Sequence, residues 1–95
     1  VEKSLRSDDY WWLLVVLRDL RLKAGLTQAA LAELLDVPQP FVSSYERGTR
    51  RLDVIELRRI AVALGVTVES ILALLDERMT PPSPETPSSE SSQSL

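Results

Sequence analysis

Up to about residue 79, apolar residues recur every three or four positions, the spacing of a buried helix face, and nowhere alternate with a period of two. The first predicted helix runs from about Asp8, a short carboxylate suited to capping, to Ala24, where Gly25 can take the left-handed position that ends a helix. Leu13, Leu17, Leu20 and Ala24 make its expected core stripe. Thr27 is the expected cap of a second helix that carries Leu31, Ala32 and Leu35 inward, followed by a short connection at Asp36 and Val37. A third helix begins near Gln39 or Pro40 and ends at Arg47, with Gly48 as its stop. Asp53-x-x-Glu56 is a carboxylate version of the capping box and announces a fourth helix on Leu57, Ile60, Ala61 and Leu64, closed by Gly65. A fifth starts at Thr67 and keeps Val68, Ile71, Leu72, Leu75 and Met79 on one face. The predicted class is all-α, five short helices.

Helix one carries a second apolar line. At 100° per residue, Trp11, Val15 and Leu22 cluster opposite the expected core stripe, with Leu14 flanking them and Trp12 on the rim. Two explanations are open. The end of helix five, around Leu74 to Met79, folds back over the line, or the line meets its own copy across a two-fold axis. The second makes Trp11, Leu14, Val15 and Leu22 a homodimer interface.

Composition removes several classes of chemistry. The chain has neither cysteine nor histidine, which takes away disulfides, thiolate metal sites, the commonest metal ligand and the usual general base. No converging pair of carboxylates stands in for them, so the expectation is no enzyme, no metal, no cofactor and no identifiable small-molecule ligand. No apolar run reaches the ~20 residues of a membrane span, and no basic-then-apolar leader pattern opens the chain, so the expected setting is the cytoplasm. From Thr80 the sequence reads TPPSPETPSSESSQSL, ten of its sixteen positions proline or serine. Such a segment buries too little apolar surface to offset its chain entropy, which divides the chain into a domain, 1–79, and an expected disordered tail, 80–95.

The net charge of −3 is unfavourable for a nucleic-acid binder, yet Arg47, Arg50, Arg51, Arg58 and Arg59 crowd into thirteen residues against only Asp53 and Glu56. A local patch of this kind can neutralise a few phosphates on an otherwise acidic chain.

Two short helices joined by a tight turn are the frame of a DNA-reading helix-turn-helix. The stretch from Gly25 to Leu35 (GLTQAALAELL), then Val37 to Gly48 (VPQPFVSSYERG), Leu52 to Leu57 (LDVIEL) and Ala63 to Val66 (ALGV) resembles the lambda-repressor-like Cro/cI type, the XRE family. The likeness covers roughly Leu17 to Leu72. It implies that Gln28, at the start of helix two, hydrogen-bonds a phosphate, and that Gln39 reaches a base edge, where an amide suits adenine. Ser43 and Ser44 match later base- and backbone-facing positions. Arg47 and the loop Thr49, Arg50 and Arg51 match residues that grip the sugar-phosphate chain. Arg21 and Glu46 match an ion pair tying helix one to the end of helix three.

Two departures from the family pattern stand out. Asp36 occupies the turn position usually held by glycine, where a left-handed backbone is strained for most residues. Pro38-Gln39-Pro40 replaces the usual opening of helix three. Because the residue before a proline is pushed from helical geometry, Gln39 is expected to cap and Pro40 to open the helix, shifting Gln39 relative to its counterparts. Phe41 either touches a thymine methyl or covers the elbow between helices two and three.

The implied function is sequence-specific binding of double-stranded DNA by a transcriptional regulator, in the family's manner a repressor, acting as a homodimer on a palindromic operator. The competing function is a protein-interaction module, antitoxin-like or regulator-binding, in which the helix-turn-helix is structural.

Overall fold

The computed structural model describes the backbone of residues 2–79 and the side chains of residues 9–79; the expected tail, 80–95, lies outside the described residues. Among the described residues five helices follow one another: α1 Glu2–Lys23, α2 Gln28–Leu35, α3 Gln39–Arg47, α4 Val54–Leu64 and α5 Val68–Met79. Among the described residues none of them is long and apolar enough to cross a membrane. Packing pairs α1 with both α3 and α5, α2 with α3 and α4, and α4 with α5. The side chains between them form one core. Leu17, Leu31, Val42, Tyr45, Ile60 and Ile71 are its fully buried large members, each contributing roughly 1.5–3 kcal/mol of transfer free energy.

Local chemistry accounts for most of the helix ends. The Thr27 hydroxyl accepts from the Ala30 amide at 3.0 Å. Asp53 accepts from the Glu56 amide at 2.8 Å while Glu56 accepts from the Asp53 amide at 2.9 Å, completing the capping box. Thr67 and Ser70 make the same reciprocal pair at the head of α5, at 3.0 and 3.2 Å. Gly48 ends α3 with φ +85°, and since a Cβ there would meet Leu14 Cδ1 only at an ordinary 3.4 Å, the left-handed turn is what calls for glycine.

Helix one departs from the sequence reading in length and in face. It begins at Glu2, not Asp8. Residues 2–8 contain neither proline nor glycine to stop it, so Asp8 lies inside the helix. The buried positions are Leu14, Val16, Leu17 and Arg21, with Leu13 and Leu20 at the edges and Ala24 exposed. A stripe drawn for one partner was too narrow, because α3 covers α1 from the Leu14 side and α5 from the Val16 side. Leu14 therefore belongs to the core, 3% exposed, and not to the free apolar line. On α5 the expected Leu72 is exposed and Leu74 packs instead, because the inner arc turns toward Val16 and Leu20 of α1.

Candidate nucleic-acid interface

The turn between α2 and α3 brings the beginnings of both helices to one surface. Asp36 ends α2 in the left-handed region, φ 60°, ψ 47°, as its place in the turn implied. Its amide donates to Glu33 O at 3.1 Å and the Val37 amide to Ala32 O at 3.0 Å, reversing the chain. The cap of α3 is Pro38, extended at φ −66°, ψ 150°, and not Gln39 as expected. Gln39 is the first helical residue and Pro40 the second. A proline there forfeits nothing, since the first four amides of a helix have no intrahelical acceptor, and the Phe41 amide still reaches Pro38 O at 2.9 Å.

This opening leaves Gln39 within reach of Gln28. The Gln39 Nε2 donates to Gln28 Oε1 at 3.0 Å, and Gln28 Nε2 donates to Glu46 Oε1 at 2.9 Å. Arg21 closes the series: its Nε donates to Glu46 Oε2 at 2.7 Å, its Nη2 to Glu46 Oε1 at 3.1 Å, and its Nη1 to the Leu26 carbonyl at 2.9 Å. The two charged side chains are 7% and 5% exposed, so the expected ion pair is a nearly buried, two-pronged one. The bond to Glu46 raises the Arg21 pKa above its already high ordinary value. Tyr45 lies beside the pair, and burial pushes its phenol pKa well up.

The end of α3 and the loop after it carry the arginines. Arg47 is exposed in the last turn of the helix. Arg50 is held from two sides, by Glu56 Oε2 at 2.8 Å and by the Phe41 ring, 4.5 Å below its guanidinium. Arg51 lies 4.0 Å over the Tyr10 ring, while the Tyr10 hydroxyl accepts from the Leu52 amide at 3.1 Å. The Thr49 hydroxyl donates to Ser44 O at 3.1 Å, and Ser43 Oγ to Pro40 O at 3.3 Å. Both hydroxyls have thus spent their one proton and face outward as acceptors. Phe41 is half-buried, meets Tyr45 edge-on at 5.9 Å between ring centres, and lines a crevice with Leu35, Val37 and Ile60. That is packing at the elbow, the second of its two expected roles.

A profile of the helix-turn-helix family matches residues 17–71, the span containing α2, α3 and the ion pair. A solved XRE-family-like protein from Pseudomonas syringae pv. tomato str. DC3000 superposes with a TM-score of 0.77 and 37% identity, covering 83% of this chain and 96% of that one. The chain belongs to the XRE family of helix-turn-helix proteins. It is a DNA-binding transcriptional regulator. It is also similar to the restriction-modification controller protein C.Esp1396I, TM-score 0.71, 26% identity, over 76% of this chain and 94% of that one. The control protein C.MunI from Mycoplasma sp is 27% identical over 55 residues, 58% of this chain and 74% of its own length.

Within this XRE-family frame, several contributors escaped the sequence reading. Tyr10 anchors the arginine loop from α1, and nothing in its local pattern links it to Leu52, which is 42 residues away. Glu56 appeared in the sequence as half of a capping box and as one of two acids opposing the arginine patch, and its carboxylate binds Arg50 directly. Along helix one, Trp11 and Leu22 are each 54% exposed, and with Val15, Arg18 and Asp19 they line a groove of about 330 Å³. Helix α5 does not cover them. It packs on the neighbouring flank, where Arg78 pairs with Asp19 at 2.9 Å and lies 5.9 Å over the Trp12 ring. Ile55 and Val62, seven residues apart on one outer face of α4, are exposed as well, and so is Leu72 on α5.

Proposed function

We propose that this XRE-family chain is a sequence-specific repressor in the cytoplasm that sets α3 into the major groove and acts as a homodimer on a palindromic operator. The observation that carries the reading is the meeting of Gln28 and Gln39 at the surface. Two helix beginnings, each a positive dipole end, stand side by side and display linked amide side chains at the surface, with Arg47 exposed in the last turn of α3. Gln28 suits a phosphate there, and Gln39, the first residue of α3, suits a base edge. Ser43 and Ser44, half-buried on the same helix, serve as shorter-range acceptors, while Pro40 shapes the tip of α3. Thr49, Arg50 and Arg51 flank the helix as backbone contacts. The restriction-modification controller and the control protein among its relatives support the regulatory part of the reading.

The second copy is proposed to meet the line Trp11, Val15 and Leu22. Exposure of two large apolar side chains on α1, uncovered by α5, supports this. The proposed domain is 1–79, with 80–95 as a tail.

The test is a titration of labelled duplex DNA against salt. Sequence-independent binding should weaken as salt rises, with a log–log slope of roughly −2 to −3 per protomer if Arg47, Arg50 and Arg51 meet phosphates. Arg47→Ala should flatten that slope by about one unit. Arg50→Ala should flatten it less, because Glu56 already neutralises part of its charge. No binding to any duplex at low salt would overturn the reading in favour of a protein-interaction module.

A further inference from the structure

We propose that Tyr10, on α1 and ahead of the span that the helix-turn-helix profile matches, is a positioning residue for DNA binding: its ring holds the Arg51 guanidinium ready for one backbone phosphate. The inference deepens the proposed function and rests on the loop after α3 meeting the sugar-phosphate chain.

The two arginines of that loop are held in opposite ways. Arg50 donates to the Glu56 carboxylate at 2.8 and 3.4 Å, so part of its charge is already answered within the chain. Arg51 is exposed, and none of the ion pairs among the described residues includes it. What holds it is the Tyr10 ring, whose centre lies 4.0 Å from the guanidinium carbon. That attraction is between a charge and a ring face and uses no hydrogen-bond acceptor. The planar fork of N–H groups therefore keeps its capacity for two phosphate oxygens. An unsupported loop arginine would sample many rotamers and lose them on binding, a cost that the stack removes in part beforehand.

Tyr10 also steadies the backbone that carries Arg51. Its hydroxyl accepts from the Leu52 amide at 3.1 Å, and Arg50 Nη1 donates to the Arg51 carbonyl at 3.0 Å. Ahead of them, the Thr49 amide and hydroxyl both donate to the Ser44 carbonyl, at 3.0 and 3.1 Å. Behind them, the Asp53–Glu56 capping box fixes the start of α4. The loop is thus tied to α3 at Thr49, to α1 at Leu52 and to α4 at Asp53. With the two outer ties intact, the Leu52 bond is the more dispensable of the two Tyr10 contacts, and the stack is the one that aims the charge. In this way α1 acts on the DNA through a residue of another element.

The experiment replaces single phosphates by uncharged methylphosphonates, one at a time, in the duplex that the full chain selects from a random library. The penalty at each position is the ratio of Kd for the substituted and unsubstituted duplex with the same protein. A loosened fold weakens both duplexes alike and leaves that ratio unmoved. One phosphate per half-site should carry a penalty of about tenfold that Arg51→Ala abolishes, which marks it as the Arg51 phosphate. Tyr10→Leu should bring the penalty there close to one and leave unchanged the penalties that Arg47→Ala abolishes elsewhere. Tyr10→Phe keeps the ring and should keep the penalty. If Tyr10→Leu keeps it, lowers every position alike, or is matched by Tyr10→Phe, positioning by the ring is refuted and the loop still meets the DNA. If Arg51→Ala abolishes no penalty while the duplex is still bound, Arg51 meets no phosphate and the inference fails with DNA binding intact. A native chain that binds no duplex overturns the proposed function and the inference with it.

Discussion

Two side chains near the end of α3 show how far single residues reach. Glu46 lies where the helix dipole disfavours a carboxylate, and only the Arg21 guanidinium and Gln28 amide make the position tolerable. Removing one member of a pair this buried strands the other, so Glu46→Ala should cost about 3 kcal/mol in chemical denaturation. In a double-mutant cycle, Arg21→Met with Glu46→Gln should show coupling well above ~1 kcal/mol; additive effects would reject the pairing as a stabilising contact. Tyr45, fully buried beside the pair, has a hydroxyl with no hydrogen-bond partner among the described residues. Tyr45→Phe should therefore be neutral or stabilising by roughly 1 kcal/mol. Burial raises the Tyr45 phenol pKa in the folded chain, so above its ordinary value of about 10 the unfolded chain releases a proton that the folded chain keeps. Its contribution is intact below pH ~10 and declines above it by up to about 1.4 kcal/mol per pH unit. Denaturation curves at pH 9 and 11 should show this loss in the native chain and a smaller one in Tyr45→Phe. The pairing of Arg21 with Glu46 was legible because the dipole demands a cation and the family pattern names one. The bond from Leu52 to Tyr10 was not, since it depends on where α1 ends up relative to the loop.

At the level of the helices, end signals were more informative than faces. Thr27, Asp53, Thr67 and Gly48 act through groups within a few residues, so their chemistry can be read locally, and all four work as the sequence implies. Faces depend on how many neighbours a helix has. Helix α1 packs against both α3 and α5, which drew Leu14 and Val16 into the core and left Ala24 outside. The start of α3 was misread by one residue, because the rule for residues before proline weakens where a helix is only beginning. Asp36 offers a direct test of the elbow. Its left-handed backbone is costly for any side chain, and its carboxylate stands at the negative end of α2. Asp36→Gly should stabilise the chain by about 0.5–1 kcal/mol, and Asp36→Val should destabilise it by more than that. A glycine variant less stable than the native chain would mean that the aspartate makes a contact outweighing its strain.

For the molecule as a whole, the proposed homodimer turns on which face would bring two copies together. The proposed line on α1 is Trp11, Val15 and Leu22, while Ile55, Val62 and Leu72 form separate exposed apolar positions on α4 and α5. Sedimentation at micromolar concentration separates the two. Trp11→Glu with Val15→Glu should give a folded monomer with weakened duplex binding, and Val62→Glu with Leu72→Glu should leave the dimer intact. The opposite pattern would move the interface to α4 and α5. The central claim, that α3 reads base sequence from its Gln39 end, is tested most directly by selecting bound sites from a random duplex library with the native chain and with Gln39→Ala. The account predicts a two-fold-symmetric motif for the native chain, and for Gln39→Ala the same motif with one position per half-site relaxed, at a cost of about 1–3 kcal/mol on the preferred site. An identical motif from both proteins would contradict it.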